Sequence, residues 1–123
     1  MVTRNPIQDK AYEFALNIVD YCRKIMREEK EYVLSKQVLR SGSSIGANIE
    51  EAQQAESKKD FISKMSISLK EAYETRYWII LIRDSGIETE EKSNVLFNQV
   101  QELIRMLVAI IKTSKFNLYN SKK

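Results

Sequence analysis

The sequence predicts an all-α fold, an antiparallel up-down-up-down four-helix bundle, on three observations. Three glycines and one proline in 123 residues leave few places for loops. Strand signals are poor, and no Asn-Gly or Asp-Gly hairpin dipeptide occurs. Apolar residues recur at spacings of three and four over four long stretches, the period of a helix that buries one face. The expected helices cover residues 6–29, 35–55, 58–84 and 90–115. Short connections make neighbours antiparallel. The whole chain, 1–123, reads as one domain, with residues 117–123 as a frayed basic tail.

The first helix opens at Asn5-Pro6, Asn as the N-cap and Pro at the first helical position. Its seam is Ile7, Ala11, Phe14, Ile18, Tyr21 and Ile25, with Cys22 beside it as a small core hydrophobe. Ser35 is the expected N-cap of the second helix. That helix carries the stretch that organises the chain, residues 39–56. Leu39, Gly42, Ile45, Ile49 and Ala52 keep one helical phase through it. Between them stand Ser41, Ser43, Ser44, Gly46, Ala47 and Asn48. Ser-Gly-Ser-Ser is also loop composition, but the apolar phase runs through without a break. A mid-helix glycine costs roughly 1 kcal/mol against alanine. Close approach of another helix, above all at Gly46, is the expected reason for these small residues. Asn48 is a candidate buried polar group that fixes register, as buried Asn does in coiled coils.

Ser57-Lys58-Lys59-Asp60 resembles a capping box and opens the third helix. Its seam is Phe61, Met65, Ser68, Ala72, Thr75, Ile79 and Ile82, and Gly86 closes it. Thr89 caps the fourth helix, whose seam is Leu96, Val100, Leu103, Leu107 and Ile110. The apolar surface exceeds what one bundle needs. Ile67, Trp78 and Leu81 form a second stripe on helix three, and Ile104, Val108 and Ile111 widen helix four. A tryptophan set away from the core suits a subunit interface, so self-association is expected.

Composition bears on chemistry. Histidine is absent, which removes His-ligated zinc sites, the Ser-His-Asp triad and the Glu-x-x-His di-metal sites of bundles. Glu50, Glu51, Glu71 and Glu74 alone do not make a metal site, and nothing marks a substrate cleft. No enzyme activity, metal or cofactor is expected. The one cysteine cannot form an internal disulfide and suits a reducing compartment. No signal peptide is visible, and the apolar run at 78–82 is far too short to cross a bilayer. A cytoplasmic protein with no membrane role is expected.

Charge is unevenly spread. The chain has 20 basic and 17 acidic residues, net +3. Yet residues 105–123 hold Arg105, Lys112, Lys115, Lys122 and Lys123 and no acid. Cations near a helix C-terminus complement its dipole. They also suit phosphate contacts of the backbone type, without base specificity, to RNA or DNA. Arg40, at the head of the small-residue stretch, has two readings of equal weight: a phosphate contact, or an ion pair to Glu50, Glu51 or Glu74.

The run Leu39-Arg40-Ser41-Gly42-Ser43-Ser44-Ile45-Gly46-Ala47-Asn48-Ile49-Glu50-Glu51-Ala52 resembles the four-helix-bundle proteins encoded in intervening sequences of bacterial 23S ribosomal RNA genes. These are related to the accessory variability protein of diversity-generating retroelements. Residues 32–37, Lys59-Asp60-Phe61 and Ser68-Leu69-Lys70-Glu71-Ala72 support the likeness, which covers nearly the whole chain. Many members have Pro where this chain has Gly46. The resemblance implies a ring-shaped homopentamer with a basic surface, nucleic acid as partner, and in the retroelement branch a reverse transcriptase as well. It implies no established activity. The combined expectation is a non-enzymatic, homo-oligomeric bundle that binds nucleic acid through phosphate contacts. The alternative is a protein-interaction scaffold with no nucleic-acid role.

Overall fold

The computed structural model describes residues 5–121. Four helices follow one another: α1 Pro6–Glu29, α2 Val33–Gln53, α3 Lys58–Asp84 and α4 Glu90–Ser121. Each packs on its neighbours in chain order, and α4 closes the square against α1, the shallowest of the four interfaces. The backbones of the diagonal pairs, α1 with α3 and α2 with α4, do not approach each other. This is the expected four-helix bundle.

Every expected seam residue of α1 is buried, from Ile7 to Ile25 with Cys22. Met65, Ser68, Ala72, Thr75, Ile79 and Ile82 of α3 are buried as well. On α4 the buried line is Leu96, Val100, Leu103 and Leu107, flanked by Ile104 and Ile111, while Ile110 is half-buried. Each fully buried Ile, Leu or Phe contributes roughly 1.5 to 3 kcal/mol of transfer free energy. The extra stripe of α4 is therefore mostly core, and only Val108 of it is exposed.

The caps show where sequence patterns hold and where they slip. Asn5 and Gln8 form a reciprocal capping box. Ser57 Oγ accepts from Asp60 N at 3.0 Å, but the Asp60 carboxylate turns back to Glu56 N. Gly86 holds the left-handed conformation, φ +77, just past the end of α3. Thr89 Oγ1 accepts from Lys92 N. Ser35 is not the cap of α2. The helix starts two residues earlier, because the Glu31 carboxylate accepts from the backbone N–H groups of Val33, Leu34 and Ser35 at 2.9–3.0 Å. Burial opposes the charged form of Glu31, yet these three bonds outweigh it and hold its pKa below the ordinary value. Ser35 Oγ donates back to the Glu31 carbonyl.

α4 runs past its expected end at residue 115 to Ser121, 32 residues or about 48 Å, since nothing from Phe116 to Ser121 breaks a helix; residues 122–123 of the expected tail lie outside the described residues. α4 also has a longer apolar run, residues 106–111, than the one at 78–82. By length and composition alone α4 is long and apolar enough to cross a membrane, and a third of that apolar stretch is buried inside the bundle. Its core-facing line is that of a bundle helix.

The small-residue stretch lies where α2 meets both neighbours. Toward α1, a β-carbon built on Gly42 would stand 3.0 Å from Ile18 Cγ2, whereas one on Gly46 would meet Ala11 at 3.6 Å, ordinary contact. The tight approach is at Gly42, not Gly46. Toward α3, Ser68 Oγ donates to the Ile45 carbonyl at 2.8 Å, and the Thr75 and Ser41 hydroxyls lie 2.9 Å apart. Asn48 does not set register between helices. Its amide donates to Ser44 O within α2. Inside the interface the buried hydroxyls link α2 to α3 instead, and among the described residues no buried side-chain polar atom lacks a partner.

Candidate nucleic-acid interface

α4 presents its cations on one outward face. Arg105, Val108, Lys112, Lys115, Phe116 and Tyr119 recur at spacings of three and four, so they share one arc of the helix surface. All six are exposed, Phe116 and Tyr119 at 65% each. From Arg105 to Tyr119 the arc is about 21 Å long at 1.5 Å per residue. One turn before Arg105, Gln101 accepts a hydrogen bond from the Arg76 guanidinium of α3, and that guanidinium lies over the Tyr73 ring, 5.0 Å from its centroid. The stripe therefore starts on α3 and runs to the end of α4. Glu102 is the nearest acid in sequence: Lys10 of α1 holds its carboxylate at 2.6 Å, and the Arg105 charge one turn on also favours its ionised form, so this acid borders the arc at its Arg105 end.

Arg40 stands elsewhere. Its guanidinium pairs with Glu71 at 3.3 Å and, more closely, with Glu74, and Glu74 also accepts the Trp78 indole N–H at 2.9 Å. Glu50 instead accepts from Gln8 of α1. Of the two readings of Arg40, the ion pair to Glu74 is the one the geometry displays. Two carboxylates meet its charge, so it has little to offer a phosphate. Among the described residues, no group of three or more His, Cys, Asp or Glu side chains is placed to hold a metal ion.

The second stripe of α3 is divided. Ile67 is exposed, 41%, while Leu81 is half-buried. Trp78 does not stand opposite the core. It is half-buried and packs against the core cluster, with its ring edge-on to Tyr77, centroids 5.2 Å apart. In a square bundle each helix meets two neighbours about a quarter-turn apart, so a flank residue is covered as well as a seam residue. A further exposed apolar line, Tyr12, Leu16 and Val19 on α1, is not singled out by the sequence pattern although its spacing is helical.

Phe116 and Tyr119 escape sequence reasoning for a different reason. The expected fourth helix ends at residue 115, with 117–123 read as a frayed tail, which hides the shared phase of both rings with Lys112 and Lys115. Tyr73 and Arg76 carry no sequence signal linking them to α4; only the packing of α3 on α4 does that.

Comparison with known proteins bears on the whole bundle. A search of curated proteins finds no match. A crystal structure of a protein of unknown function from the S23 ribosomal protein family of Bacteroides thetaiotaomicron superposes with a TM-score of 0.85 at 48% identity, over 86% of this chain and 98% of that one. The profile of the family described as 23S rRNA-intervening sequence protein matches residues 3–109, which include the small-residue stretch and all but the last part of α4. The chain belongs to the 23S rRNA-intervening sequence protein family.

Proposed function

We propose that the protein is a non-enzymatic, homo-oligomeric helical bundle that binds nucleic acid through phosphate contacts on the outward face of α4. The observation that carries this reading is the exposed arc of Arg105, Lys112 and Lys115, with no acid in the chain from Arg105 onward. A polyanion that meets such an arc releases condensed counterions, so binding weakens steeply with added salt. Arg40 is a lesser member of the proposed contact set, since its carboxylate partners must first be displaced. The assembly proposed is a ring of five copies, which multiplies the +3 of each chain and steers a polyanion to the surface. Its setting is the cytoplasm, and in a retroelement context a reverse transcriptase is the proposed protein partner.

Replacing Lys112 and Lys115 by Gln tests the reading. The helices are expected to persist, because both side chains are exposed. Affinity for RNA or DNA is expected to fall. The slope of log K against log salt is expected to flatten by about 0.7 to 0.9 for each phosphate that the protein no longer neutralises. Wild-type binding that does not vary with salt would sink it.

One observation favours the scaffold reading: α1 leaves Tyr12, Leu16 and Val19 exposed at helical spacing, apolar surface of the kind protein partners cover. Salt separates the two, since apolar docking persists where phosphate binding fades.

Self-association has its own test. Among Ile67, Trp78 and Leu81, Ile67 is the clean probe, because a charge there disturbs no core packing, whereas at Trp78 it would. Ile67→Glu is expected to lower the mass seen by light scattering while the helical circular dichroism is kept. A wild type that scatters as a monomer rules out the interface.

A further inference from the structure

α4 leaves two aromatic rings largely exposed beside its cations. Phe116 and Tyr119, each 65% exposed, follow Lys115 by one and four residues and Lys112 by four and seven, so all four side chains leave the helix within one arc. Large rings are usually covered, and the charge beside these two limits what can cover them. Lys112 and Lys115, with no acid in the chain from Arg105 onward, complement a polyanion, and the rings add a requirement for a partner with flat faces to stack on.

Nucleic acids differ in whether they offer such faces. In a duplex the base faces are occupied by stacking, and the grooves present base edges that are read by polar side chains. An unpaired strand presents the faces themselves, and proteins hold it by combining a basic track with aromatic platforms. We infer that this surface takes single-stranded nucleic acid in preference to duplex, with Phe116 and Tyr119 stacking on bases while Lys112 and Lys115 hold the phosphates between them. The Arg76 guanidinium, lying over Tyr73 and held by Gln101, offers a second planar surface at the other end of the stripe. This rests on the phosphate-contact reading above and adds the strandedness of the ligand to it.

The test is fluorescence anisotropy with a labelled, mixed-sequence single strand and with the same sequence annealed to its complement. Wild type is expected to bind the single strand about tenfold or more tighter than the duplex. Phe116→Ala with Tyr119→Ala is expected to abolish that preference, with duplex affinity and the salt slope unchanged. Phe116→Trp with Tyr119→Trp is expected to keep it. Circular dichroism checks that every variant remains helical. Equal affinity of wild type for the two ligands, or a preference that survives the alanine pair, overturns the inference and leaves phosphate binding standing. Failure to bind either ligand in a salt-dependent way removes the phosphate reading, and the inference with it.

Discussion

Gly42→Leu is expected to destabilise the bundle by roughly 1 to 3 kcal/mol, and by more if Ile18 cannot yield. Even a single added carbon at Gly42 would lie 3.0 Å from Ile18 Cγ2 and 3.1 Å from Cγ1, and both residues are fully enclosed between α1 and α2. A β-branched side chain in a filled core has few rotamers to retreat to. Leucine adds further atoms into the same space, so α1 and α2 must separate. Alanine at Gly46 should behave in the opposite way. Its β-carbon would fit against Ala11 at 3.6 Å, and removing a mid-helix glycine gains up to about 1 kcal/mol. Urea unfolding followed by circular dichroism measures both. An unchanged midpoint for Gly42→Leu would show that the helices are not in close contact there.

Raising the pH from 9 to 12 is expected to remove on the order of 5 kcal/mol of stability, close to the whole of a typical domain's reserve. Burial pushes the Tyr21 hydroxyl from its ordinary 10.0 up to about 12, partly offset by its 2.7 Å hydrogen bond to Ser93 Oγ. Burial likewise pushes the Cys22 thiol from 9.0 to about 12. Both folded values are raised, so the unfolded chain ionises first. The stability is full below pH 9, falls as the unfolded thiol and then the unfolded phenol lose protons, and levels off once pH passes the folded values near 12. Cys22→Ala should remove the part of the fall that begins near pH 9 and leave the later part. Denaturant titrations at a series of pH values would show this. A wild-type midpoint that holds flat from pH 8 to pH 11 would refute it.

How much of this is legible in the sequence depends on the helix in question. α1 is legible almost entirely, since its buried line is a run of large apolar residues at one phase and its start is written as Asn5-Pro6. α2 is legible as a helix but not in its packing. Its buried polar contacts with α3 involve Ser41, Ser68 and Thr75, which look in a sequence like gaps in the apolar pattern, because a buried hydroxyl reveals itself only when its acceptor is known. The start of α2 falls two residues away from the Ser35 position because a Glu can cap through several N–H groups at once, while sequence rules favour Ser. Trp78 points outward when a seam is drawn as a single line, whereas a helix in a square bundle is covered by two neighbours. In the candidate site, Arg105, Lys112 and Lys115 are legible from the lack of acids in the chain from Arg105 onward. Phe116, Tyr119 and the Arg76–Tyr73 pair emerge only when α4 is seen to continue and α3 is seen beside it.

The closure of the square by α4 on α1 has a bearing on how the molecule breathes. Three of its four interfaces join helices consecutive in the chain, and each forms by closing a short loop. The fourth joins α1 to α4, the largest sequence separation in the fold, and it is also the shallowest. Two surface cavities lie along it, one lined by Asn17, Tyr21 and Lys24 with Val95 and Leu96, the other by Lys10 and Glu13 with Gln99 and Glu102. Three polar contacts cross it: Tyr21 to Ser93, Asn17 to Gln99 and Lys10 to Glu102. A seam that is closed late and lightly is the one that parts first, in a sub-global opening that leaves the α2–α3 pair intact. Amide hydrogen exchange should therefore be fastest, among the interior helical segments, along the facing halves of α1 and α4 and slowest where Ser68 meets Ile45. Uniform protection of all four helices would mean that the square opens only as a whole.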